Sequence, residues 1–204
     1  MTSNALFRHA VRGLALLSCA VVLTGCLSMN SYVNPELPHV TRADIAAPVT
    51  PRPVQVAVEF RTKGNANAAA TAEVQPRVLA VATESGLFSA VTREAAGPDA
   101  GLLRVVIDNV AVDGENAAAE GFGTGLTFGL VGTMVTDAYI STITYTRAGE
   151  TTSVDVRHAL HSTIGNADGP PGLTAVSPRD GVNQVIDQIV WNGLDKLADR
   201  GAFE

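Results

Sequence analysis

Three sets of residues in this 204-residue sequence have the types and spacing that chemistry requires. Cys26 ends the run Leu23-Thr24-Gly25-Cys26. Its thiol, once deprotonated, is a nucleophile that can be alkylated or acylated. Asp155, His158 and His161 carry groups that ligate divalent metals. Residues 121–136, with glycine at 121, 123, 125, 129 and 132, could turn backbone amides toward an anion.

The elements that position these residues narrow the possibilities. His158 and His161 are an odd number of residues apart, so on a strand they point to opposite faces. Only a helix would align them, and the alternation Val154, Val156, His158, Leu160 is that of a strand. No metal site is expected. Residues 121–136 lack a lysine after the glycines, which a P-loop needs, and Leu126 stands where a dinucleotide fingerprint starting at Gly121 needs glycine. No G-x-S-x-G or H-E-x-x-H motif occurs. No catalytic residue is expected, and an enzyme is left only as a hydrolase whose acid and base come from distant positions.

The uncharged stretch 121–136 lies between Glu120 and Asp137. Its spacing Gly121-x3-Gly125-x3-Gly129 puts small residues on one face of a helix, which permits close helix approach, especially in lipid. Three readings follow. It is a buried connection or hairpin packed on its own sheet; an exposed apolar insertion meeting a membrane, a partner or another subunit; or a backbone-amide ligand loop. In the second reading Gly121, Gly125, Phe128, Gly129 and Met134 form the interface.

Cys26 closes a leader. Arg8 and Arg12 give a positive start, and Val11 to Leu23 is mostly apolar and carries no acid. At about 13 residues it fits the core of a signal peptide and is short of the ~20 a membrane span needs. An ordinary secretory signal and a lipoprotein signal are the two readings. Cys19 would leave too short an apolar run before it. The order Leu23-Thr24-Gly25-Cys26 resembles the lipobox of bacterial lipoproteins. That resemblance implies cleavage between Gly25 and Cys26, a diacylglyceryl thioether on Cys26 and a third acyl chain on its amine. Leu27, where retained lipoproteins have Asp, implies transfer to the outer membrane. No other cofactor is expected.

Removing residues 1–25 takes away two arginines and no acid, so the formal charge of −6 becomes −8. Such an acidic chain lacks the footprint of a nucleic-acid binder. Cys26 would be the sole remaining cysteine, which excludes an internal disulfide. Five prolines in residues 27–53 suggest an irregular tether, so the expected organisation is leader 1–25, acylated Cys26 and tether 26–53, and one domain 54–204.

Within that domain, alternation predicts strands over 54–60, 102–112, 139–147 and 153–164, with a short one near 88–93. Ala148-Gly149-Glu150 is the expected hairpin turn. An apolar stripe (Val74, Val78, Val81, Ala82) predicts a helix over 66–85, with Pro76 as a kink or a restart. The last helix has the clearest signals: Ser177 to cap, Pro178 in first position, Asp180 in the first turn, and a stripe from Val182 to Leu197. The sum is an α+β fold, a mixed, mostly antiparallel sheet of about five strands with two packed helices and a glycine-rich apolar insertion.

This order of elements, with Ser85-Gly86-Leu87-Phe88 after the first helix and the terminal helix 178–200, resembles the small periplasmic domains of penicillin-binding-protein activators, the amino-terminal domain of TolB and curli-secretion-type lipoproteins. Thr124–Tyr139 is also similar to small envelope lipoproteins. The resemblance implies a non-enzymatic protein held on the outer membrane by its lipid, with its domain in the periplasm, binding an envelope protein or itself. The alternatives are a self-oligomerising or membrane-inserting assembly lipoprotein acting through 121–136, and an envelope-polymer hydrolase.

Overall fold

A computed structural model describes residues 28–95, 97–110, 129–131, 134–165 and 167–204, with backbone only for 129–131. Gly25, Cys26, Gly121, Gly125 and Phe128 lie outside the described residues. The strands are β1 (Met29–Val33), β2 (Arg52–Thr62), β3 (Asn65–Ala66), β4 (Phe88–Thr92), β5 (Gly101–Val110), β6 (Gly129–Val131), β7 (Met134–Arg147) and β8 (Glu150–Ile164). The helices are α1 (Ala68–Glu84) and α2 (Pro178–Asp199).

All eight strands join one sheet in the order β1-β8-β7-β5-β2-β3, with β4 also on β2 and β6 also on β7. Pairings β2–β5 and β2–β4 are parallel and the rest antiparallel, so the sheet is mixed, as expected. Among the described residues the sheet has eight strands, where about five were expected. The three extra strands, β1, β3 and β6, are too short to show period-two alternation.

The tether is corrected as well. Met29–Val33 pairs antiparallel with Ile164–Leu160, and Tyr32, Val40 and Ile45 are buried. The prolines of 35–53 shape an irregular return path over the domain, not a free spacer. The folded unit therefore includes residues N-terminal to 54.

The two faces of the sheet differ. Leu103, Val105, Ile107, Ile143, Val154 and Val156 on one face are fully or almost fully buried beneath the helices. Strand β5 lies between β2 and β7. On the opposite face Leu102 is 38% exposed. There polar pairs cross the strands: Thr142 donates to Asp155 at 2.8 Å, Thr144 meets Ser153 at 2.9 Å, and Arg104 donates to Glu59 at 2.8 Å.

Both helices start as their sequences dictate. Asn67 Oδ1 accepts from Ala70 N at 3.0 Å, and Ser177 Oγ accepts from Asp180 N at 3.1 Å, each satisfying an orphan donor of the first turn. Helix α1 runs on through Pro76. Helix α2 lies close to the sheet because Gly193 faces Ile143, where a Cβ would collide with the isoleucine side chain. Val185, Ile186, Ile189, Val190, Leu194 and Leu197 bury the expected stripe.

Strand β7 begins five residues earlier than its alternation suggests, at Met134. Gly129–Val131 pairs with Met134–Thr136 in register. The last part of the glycine-rich stretch is thus a short ladder on the sheet, which agrees with the hairpin reading for 129–131 and 134–136 and answers nothing for residues 121–128.

Candidate functional site: the groove between the helices

Helix α1 opens with Ala68-Ala69-Ala70-Thr71-Ala72, side chains too short to fill the space toward α2. A groove of about 700 Å³ results, with Phe60 and Tyr139 from the sheet among its lining residues. Ala70, Ala72, Val74 and Pro76 line it from α1, and Pro178, Arg179, Val182 and Asn183 from α2. The two rings meet edge to face at 6.4 Å. Pro76 has no N–H to give the carbonyl of Ala72, its usual partner one turn back, so the α1 wall carries an acceptor without its helical donor.

Charges sit at the rim. Arg77 Nε donates to Asp187 Oδ1 at 2.8 Å, and its Nη2 pairs with Oδ2, a two-point clamp between the helices. Arg77 lines the groove, whereas Asp187 lines a second recess of about 410 Å³ with His39, Val40, Thr41, Gln184, Gln188 and Trp191. The clamp therefore stands at the boundary of the two spaces. Trp191 packs against the core and lines this recess. Burial, with the negative charge of Asp137 nearby, pushes the Tyr139 phenol well above its ordinary pKa, so it stays protonated as a neutral hydrogen-bonding group.

The arrangement can hold an apolar group on an aromatic and aliphatic surface, with guanidinium groups at its mouth. Among the described lining residues Glu73 is the one carboxylate.

Of the residues singled out for metal chemistry, His158 faces the helices, whereas Asp155 and His161 share the opposite face six residues apart along β8. Asp155 accepts from Thr142 on the open face. His158 Nε2 meets Gln188 Oε1 of α2 at 2.8 Å. His161 Nδ1 meets Thr136 Oγ1 at 2.8 Å on the other face. Burial holds the His158 imidazole down at a pKa of about 4, and lowers that of His161 against the opposing charge of Glu36. Gly129 lies in β6 and Met134 opens β7, where it is partly buried. The groove itself escaped the reading of the sequence. Phe60 and Tyr139 lie far apart in the chain, and the alanine run of α1 was the one local sign of an unfilled gap.

No family model matches the chain, and no curated protein matches it. Solved structures similar to it include a DUF330 protein from Xanthomonas campestris, 10% identical over 86% of this chain and 94% of that one, with a TM-score of 0.40. The PelC dodecamer from Paraburkholderia phytofirmans is 10% identical over 82% of this chain and 96% of that one, with a TM-score of 0.37. A minor lipoprotein from Acinetobacter baumannii is 13% identical over 75% of this chain and 89% of that one, with a TM-score of 0.30. These are proteins the chain is similar to, and at such scores its α+β fold rests on its own strands and helices.

Proposed function

We propose that this chain is a non-enzymatic lipoprotein of the bacterial envelope, anchored through acylated Cys26 to the outer membrane and presenting its α+β domain to the periplasm. The observation that carries the reading is the run Leu23-Thr24-Gly25-Cys26 at the end of an apolar leader. More than one acyl chain is needed for stable anchoring, at about 0.8 kcal/mol per buried methylene, and the lipobox chemistry supplies them. Among the described residues no helix is long and apolar enough to cross a membrane.

The partner is an envelope component that lays an apolar segment in the α1–α2 groove. Phe60, Tyr139 and Val182 offer it apolar surface, and Arg179 offers a positive rim. Photo-crosslinking in cells tests this, with the reactive residue placed at Ala72 or Asn183. A discrete adduct with another envelope component is expected. An adduct of the chain with itself selects the assembly reading, and no adduct from either position contradicts the groove as a binding site.

A further inference from the structure

Little chain separates Cys26 from the sheet. Ser28 is fixed to the end of β8 by two hydrogen bonds: its Oγ donates to the Gly165 carbonyl at 2.8 Å, and Gly165 N donates to the Ser28 carbonyl at 2.8 Å. Cys26 lies two residues before Ser28, a reach of about 7 Å for a fully extended chain. An acylated Cys26 would hold this corner of the sheet at the surface of the bilayer.

The corner has a composition that suits such a position. Met29 pairs with Ile164, and Met134 pairs with Thr163, so β1, β7 and β8 all end here. Adjacent strands are about 4.8 Å apart, which puts Met134 about 10 Å along the sheet from Met29. Residues 28–34, 134–136 and 158–165 contain no Asp, Glu, Lys or Arg. Met29 is 46% exposed, and Met134, Val135 and Ile164 are partly exposed, with Met29, Ile164 and Val135 on one face of the sheet and Met134 on the other, so that both faces end in apolar groups. The next charges along the strands are Asp137 on β7 and Arg157 on β8. The far end of the same strands carries Arg147 and Glu150.

We infer that the domain stands end-on, with the Met29–Met134–Ile164 corner seated in the headgroup region of the membrane that holds its anchor. The occupant of this apolar corner is thus a phospholipid surface. The β7–β8 hairpin turn points away from it, about 45 Å distant along the 15 residues of β8. This inference rests on acylation of Cys26. It leaves the α1–α2 groove beside the membrane, because both helices begin at the anchored end of the sheet.

The test uses the full lipidated protein in vesicles of phosphatidylethanolamine and phosphatidylglycerol with brominated acyl chains. Once Cys26 is a thioether, the protein has no other thiol, so a fluorophore can be attached at one new site. Met134→Cys is the reporter, Ile164→Cys is the second reporter should the first not fold, and Glu150→Cys marks the far end. Severalfold stronger bromine quenching at 134 or 164 than at 150 is expected. Equal quenching at both ends, as in a domain lying on its side, or none at either, overturns the end-on seating. Flotation separates this from failure of the anchor: protein that does not float with the vesicles overturns the anchored reading itself.

Discussion

The two ends of the sheet are built on different principles. At the end where β1 starts and β8 stops, Met29 and Ile164 on one face and Met134 on the other are partly exposed beside polar uncharged groups, and among the described residues no ion pair is made by 28–34, 134–136 or 158–165. At the far end, Phe203 packs edge to face on Phe88 at 5.4 Å and on Tyr145 at 5.1 Å, beneath the charges of Arg147 and Glu150. The far end is finished as a water-facing surface over its own aromatic core.

Changes at the two ends should therefore be felt in different measurements. The largest loss of stability is expected from Phe203→Ala, which removes a ring only 7% exposed and costs about 3–5 kcal/mol. Urea unfolding checks it, and a midpoint close to that of the parent would break the distinction. The core between the ends should respond to pH through His158. Its pKa is depressed to about 4 in the folded protein, whereas the unfolded chain binds a proton near 6.5. Stability is therefore full above about 6.5 and falls as pH drops toward about 4, by on the order of 3 kcal/mol. Unfolding measured across that window should show a shallower slope in His158→Gln, with His161 supplying the remainder.

A smaller effect is expected at the helix–sheet contact. Gly193→Ala drives a methyl into Ile143 and should cost about 1–3 kcal/mol by overpacking, visible as a lower thermal midpoint. The smallest change in stability is expected at the anchored end. Met29→Asp alters an exposed strand start, with an effect within about 0.5 kcal/mol. The same substitution should weaken bromine quenching at the Ile164→Cys reporter. A large fall in stability with unchanged quenching would mean that Met29 serves the fold and not the membrane.

Much of the architecture was legible because local signals agreed with the fold. Ser177, Pro178 and Asp180 announced α2, and the period-two runs announced the longer strands. The Ala148-Gly149 turn is marked by its positive φ values of 50° and 86°, which Gly149 accommodates freely. The sheet was undercounted because β3 and β6 are two- and three-residue arms of local pairings, too short to alternate, and β1 owes its structure to long-range pairing. Met29–Val33 has no alternation strong enough to outweigh the prolines that follow, yet its partner β8 supplies an edge to pair with. The corner of β1 and β8 was invisible for the same reason, since Ser28 and Gly165 meet only through that pairing. Cys26, in contrast, stands out through the lipobox-like order Leu23-Thr24-Gly25-Cys26, and the groove carries no such local sign, because its floor is made of two rings that any core would use.

Mass spectrometry of the N-terminal peptide of the mature protein, purified from the membrane fraction, tests the central claim most directly. A peptide beginning at Cys26 and carrying a diacylglyceryl group and an N-acyl chain is the expected result. An unmodified Cys26, or a mature chain that begins elsewhere, would contradict the anchor and with it the end-on seating of the domain.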